Sequence, residues 1–168
     1  MAWYQDLEDC DYLGPLKFKA VGWLDHQHDF PKGPCNRAFI NKLLSLNRNK
    51  WEPIQFLGYH DCNLCAGDGP YNFMIEDNPV LVGSSNLLIP DVSAQCIYLA
   101  PTLIFHYIKD HEYLPPTAFV EAVMNCPSMQ TPEFFEHLYQ AIKLDEDMVE
   151  ALMSWCLDAR DTFLAHIT

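Results

Sequence analysis

No run of about 18 apolar residues occurs anywhere in this chain, so the sequence offers no candidate transmembrane helix. Basic residues are scarce: 10 Lys and Arg face 23 Asp and Glu among 168 residues, a formal net charge of −13. That shortage argues against nonspecific attachment to DNA, RNA or anionic lipid, all of which rely on cationic side chains meeting phosphate. The opening Met1-Ala-Trp-Tyr-Gln-Asp6 has no basic n-region or apolar h-region, so a cytoplasmic location is expected. Two catalytic signatures are also missing. Gly83-Ser-Ser85 does not complete a nucleophile elbow, and Gly67-x-Gly69 is followed by no Gly-Lys-Ser/Thr. No internal repeat or low-complexity tract interrupts the chain.

What is present is enough to fold. Hydrophobic residues make up 49% and aromatics 13%, the composition of a globular core. Seven cysteines, an odd number, are expected mostly as reduced thiols packed like small hydrophobes. Phe18 to Leu24 reads as a strand and Asp29-Phe-Pro-Lys-Gly-Pro34 as a turn. Phe39, Ile40, Leu43, Leu44 and Leu46 recur at helical spacing, and Asn47 to Lys50 ends that helix. Trp51 to Tyr59 reads as a buried strand. Short apolar runs at 71–75, 80–82, 86–89 and 96–99, broken by turn formers, predict an antiparallel meander.

From Pro101 the period changes to that of a helix, predicting helices over 102–112, 116–125, 132–143 and 145–167. Thr131-Pro132 and Leu144-Asp145 read as helix starts. Strands followed by helices imply an α+β fold, with a small sheet, one helix in the N-terminal half and a C-terminal helical layer. A seam at Pro127–Gln130 divides the expected domain, 1–127, from an appended helical hairpin, 128–168. The acidic N-terminal residues read as a docked arm or a short helix.

The strongest chemical signal is His60-x-Cys62-x-x-Cys65. Two cysteines separated by two residues grip one tetrahedral ion from a tight turn, and His106-x4-His111 offers a second pair. The metal candidates are therefore Cys62, Cys65, His106, His111 and His60, with zinc in a structural role. The 40 residues between Cys65 and His106 exceed the roughly 12–15 of a compact finger. Residues five apart on a regular helix point about 140° away from each other, so both imidazoles meet one ion only if the helix tightens or unwinds near Asp110. Otherwise His60 replaces one of them. In the plain reading His111 extends the apolar stripe of Ile104 and Ile108 as a core or C-cap histidine, and the thiols are simply buried.

As a redox motif, Cys62-Asn-Leu-Cys65 lacks a following helix, and Asp61 would raise the thiol pKa. Asp25, His26, His28 and Asp29 read as a solvated loop. The acidic residues Asp145, Glu146, Asp147, Glu150, Asp158 and Asp161, with one base (Arg160), join the acidic N-terminus in a negative field that would steer a basic partner.

Gly58-Tyr-His-x-Cys-x-x-Cys65, Tyr98-x-Ala-Pro-x-Leu-Ile104 and His106-Tyr-Ile-x-x-His-x-Tyr-x-Pro-Pro116 resemble a family of small uncharacterised bacterial proteins. Gly22-Trp-Leu24 and Phe30-Pro-x-Gly33 agree with it, over roughly Tyr4 to Pro127. The resemblance implies a bacterial cytoplasmic protein in which the five Cys and His residues form one motif set, and it supplies no catalytic residue. The resulting expectation is a non-catalytic acidic binding protein, immunity- or antitoxin-like, engaging a basic protein and stapled by zinc. The alternative is a Cys/His-site enzyme, either a metal hydrolase or a thiol oxidoreductase.

Overall fold

A computed structural model describes residues 2–12, 17–53, 58–65, 71–75, 78–143, 145–148 and 150. The elements run in chain order β1 (Asp9–Cys10), β2 (Phe18–Ala20), α1 (Arg37–Arg48), β3 (Tyr71–Ile75), β4 (Asn78–Val82), β5 (Asn86–Asp91), β6 (Cys96–Pro101), α2 (Ile104–Asp110), α3 (Thr117–Asn125) and α4 (Pro132–Ile142). This is the α+β class that the sequence implies. A four-stranded sheet has the order β1-β2-β6-β5, and β3-β4 forms a separate hairpin.

The strand arrangement is more varied than a plain meander. β2 and β6 pair in parallel, Lys19 opposite Tyr98 and Ala20 opposite Leu99. Parallel neighbours need a long crossover, and the chain between these two carries α1 and the β3–β4 hairpin. β5 and β6 bury Leu87, Leu88, Ile89, Ile97, Tyr98, Leu99 and Ala100 in unbroken runs, as strands covered on both faces do. α4 packs on β5 and β6, α3 on β5, and α1 on α3. Phe119 links these layers, its ring edge-on to Phe39 of α1 and to Tyr98 of β6. Among the described residues no helix is long and apolar enough to cross a membrane.

Caps set the helix boundaries. Asn36 accepts from the Ala38 amide at 2.7 Å, starting α1 two residues ahead of its apolar stripe. Thr131 accepts from Phe134 ahead of Pro132, the expected cap-proline start. Asp145 accepts from the Met148 amide at 3.0 Å, a cap on the helix expected at 145–167, nearly all of which lies outside the described residues. Four residues of the expected strand Trp51–Tyr59, 54–57, also lie outside them, and its described flanks are not strand.

The strand expected over Phe18–Leu24 stops at Ala20 because Gly22 adopts φ 73°. A Cβ at Gly22 would lie 3.1 Å from Ile104, so the turn needs glycine on both counts. The Gly22 amide donates to Asp6 Oδ1 at 2.9 Å, and the buried Tyr113 hydroxyl donates to the same carboxylate at 2.9 Å. With Leu7 donating to Ala20 and β1 pairing with β2, these bonds dock the N-terminal arm on the domain.

Burial lifts the Asp6 carboxyl above its ordinary pKa, while its two donors pull the other way. The folded protein therefore holds this proton more tightly than the unfolded chain does. Stability falls as pH rises through the interval between the ordinary value and the raised one. Asp6→Asn keeps the shared Oδ1 acceptor but removes the titration. It is expected to flatten that decline in thermal melts from about pH 3 to about pH 7; curves parallel to wild type would contradict this assignment.

Candidate metal centre

The Cys62–Cys65 segment is placed by the sheet. The His60 amide donates to the Gly83 carbonyl at 2.8 Å, just past the end of β4. Gly83 has φ 98°, and a Cβ there would stand 3.0 Å from the His60 carbonyl oxygen, so only glycine lets the two backbones meet. The Gly83 amide donates to Thr102 Oγ1 at 3.0 Å, and the Thr102 hydroxyl donates to Ser85 at 3.0 Å. The buried Thr102 thus ties the end of β4 to the start of α2, which brings the cysteine turn over that helix. Within the turn, the Cys65 amide donates to the Cys62 carbonyl at 3.4 Å.

α2 supplies the opposite half. His106 lies inside the helix, which ends at Asp110, so His111 is its C-cap with φ −118° and ψ 6°. Glu112 then takes φ 57° and turns the chain so that Tyr113 bridges to Lys32. By leaving the helical path at residue 111, the chain cancels the angular mismatch of an i, i+5 pair.

The four side chains meet. Cys62 Sγ lies 3.3 Å from His111 Nε2, and Cys65 Sγ lies 3.2 Å from both His106 Nε2 and His111 Nε2. The two Nε2 atoms are 3.2 Å apart. All four donor atoms fall within 4.8 Å of one another, close enough to hold a metal ion. Cys62 and His106 are buried, Cys65 and His111 half-buried. With zinc–sulfur bonds of about 2.3 Å and zinc–nitrogen bonds of about 2.0–2.1 Å, tetrahedral ligand atoms stand about 3.3–3.8 Å apart. The observed contacts approach that spacing, and the donor set of two thiolates and two imidazoles suits zinc.

Surrounding groups orient the ligands. His106 Nδ1 lies 2.7 Å from Asp110 Oδ2, one helical turn on. A proton held on Nδ1 by this carboxylate leaves the Nε2 lone pair directed at the cluster. Tyr71 of β3 stacks on the His106 ring at 4.1 Å and 25°, and its hydroxyl accepts from the Cys62 amide at 3.3 Å. Neither Asp110 nor Tyr71 stands out in the sequence as a site residue. The i, i+4 spacing of His106 and Asp110 is the one signal that could have pointed to the first.

His60 lies outside this group of four. Its Nε2 contacts the Tyr12 hydroxyl at 3.2 Å, and burial lowers its pKa. Burial also pushes the Cys62 thiol up to about 11, with the neighbouring Cys65 adding to the rise, and it lowers His111, helped by His106. Burial thus favours the neutral Cys62 thiol, the opposite of the lowered pKa that activates a redox dithiol. The turn after Cys62 does not open a described helix either. All six described cysteines are free thiols. Of the residues expected in a solvated loop, His26, His28 and Asp29 are exposed, whereas Asp25 is half-buried and accepts from the Asn63 side chain.

An α+β domain carrying a clustered pair of cysteines and pair of histidines is the class that fold and site define. The chain belongs to DUF7919, a domain of unknown function, whose family model matches residues 2–124. That span contains the whole Cys/His cluster and stops short of α4. No curated protein and no solved structure matches the chain.

Asp110→Asn is expected to lower zinc affinity by about 10- to 100-fold in chelator competition, the range seen when an outer carboxylate on a ligating histidine is lost. An affinity equal to wild type would show that Asp110 does not orient His106.

Proposed function

We propose that this domain is a non-catalytic binding module, stapled by one structural zinc ion and presenting an acidic surface to a basic protein partner. The convergence of Cys62, Cys65, His106 and His111 within 4.8 Å carries the metal half of this reading. Four protein ligands fill a tetrahedral shell and leave no position for a reactive water, which favours a structural role over a hydrolytic one. The ion would join two parts far apart in sequence, the cysteine turn and the end of α2. Closing so long a loop is where a staple constrains the unfolded chain most.

The partner half is supported by charge. Glu8, Asp9 and Asp11 on the N-terminal arm and Glu146, Asp147 and Glu150 near the other end are exposed, on a chain of net charge −13. Such a field speeds encounter with a cationic protein and weakens as salt rises. Immunity or antitoxin action against a basic toxin is a role that fits a small acidic module of this kind.

Elemental analysis of reduced protein purified without chelator tests the metal, with about one zinc per chain expected. Cys65→Ser should lose the zinc and several kcal/mol of stability or the fold itself, whereas a plain buried thiol-to-hydroxyl change would cost only about 1–3 kcal/mol. Metal-free wild-type protein with an intact fold would overturn the staple. Pull-downs at about 10 mM and about 1 M salt, where the screening length falls from about 30 Å to about 3 Å, should show basic proteins released at the higher value.

A further inference from the structure

A second feature lies between the N-terminal arm and the loop that precedes the Pro-Gly turn. It is a cleft of about 420 Å³ walled by Trp3, Tyr4, Phe30 and Pro116, with the carboxyl side chains of Asp6, Asp25 and Asp29 in its lining. No Lys or Arg is among the lining residues. Aromatic planes and carboxylates therefore share one concave space, with His28 also in the lining, His26 Nδ1 3.6 Å from Asp25 Oδ1 and Lys32 Nζ 5.1 Å from the Phe30 ring centre.

The walls are held in place. Trp3 stacks on His28 with centroids 3.7 Å apart and planes 13° apart, yet remains 39% exposed. Asp6 is held by Gly22 and Tyr113. Asp25 accepts from the Gln27 amide through Oδ1 at 2.8 Å and from the Asn63 side chain through Oδ2. Asn63 sits between Cys62 and Cys65, so the cleft floor is fastened to the candidate metal turn. The Asp29 carboxylate makes no hydrogen bond or ion pair among the described residues and is exposed.

We infer that this cleft receives an arginine side chain from the basic partner, an inference that rests on the partner reading above. A guanidinium is flat, weakly hydrated and rich in in-plane donors. It can lie against an indole while directing two N–H groups at a carboxylate. Lysine offers a strongly hydrated point charge that uses the aromatic wall less well. Asp29 is the carboxylate with acceptor capacity to spare, Trp3 the stacking surface, and Asp6 and Asp25 the fixed background field.

The test uses full-length, zinc-replete protein and three probes: N-acetyl-arginine methylamide and its lysine and citrulline counterparts. Isothermal titration calorimetry reports binding to wild type and to each variant, and the Trp3 indole N–H resonance locates the probe in the wild-type cleft. The arginine probe should bind roughly 5-fold more tightly than the lysine probe and roughly 10-fold more tightly than neutral citrulline. Trp3→Ala and Asp29→Asn should each weaken arginine by roughly 3-fold or more. Their zinc content and far-UV spectra should match wild type, since neither residue touches the cysteine–histidine cluster. Equal binding of citrulline, equal binding of lysine, or variants that bind arginine like wild type would each overturn the cleft assignment. Basic proteins captured in a salt-sensitive way by a protein that ignores the arginine probe would overturn the cleft and leave the partner reading standing. Arginine binding without such capture would sustain the cleft and count against that partner.

Discussion

Two thiols and two imidazole nitrogens packed within 4.8 Å of one another, two of the four side chains buried, constitute a dense set of electron-pair donors. Burial favours the neutral Cys62 thiol, and the sulfur and Nε2 atoms of the cluster approach one another to 3.2–3.3 Å. A divalent metal bound between them would turn that crowding into attraction, because a cation stabilises thiolate ligands. Much of the middle of the chain is arranged around this point. The β3–β4 hairpin supplies Tyr71, the turn after β4 supplies the contact with His60, and α2 stops where it must for His111 to swing in.

The sheet and the cluster depend on each other through few groups. Thr102 bonds to Gly83 and to Ser85 and so joins the end of β4 to the first turn after β6. Beyond α2, Tyr113 reaches back to Asp6, fixing the arm against Gly22. These contacts are polar and lie at the edges of an apolar core built from β5, β6, α3 and α4. The core provides most of the burial, and the polar ties decide how the loops sit on it.

Charge is distributed with a similar division. Exposed carboxylates on the arm and near the C-terminal end create a general negative field. The cleft beside Trp3 concentrates three carboxylates against aromatic walls, one of them bonded to the cysteine turn through Asn63. The Asn63–Asp25 hydrogen bond ties the cysteine turn to this cleft.

The sequence by itself determined the α+β class, the capped starts at Thr131 and Asp145, and the short list of residues able to hold metal. Each follows from local chemistry: a period, a cap, a spacing of two cysteines. It also marked the region near Asp110 as the place where the helix had to yield. Only the tertiary structure decided that β2 runs parallel to β6, that β3 and β4 stand apart, and that His60 turns to Tyr12 while His111 faces Cys62 and Cys65. Those outcomes depend on which backbone groups meet across long separations, at Gly83 with His60 and at Thr102 with Ser85. A one-dimensional pattern carries no record of such pairings, because they are selected by the packing of the whole core.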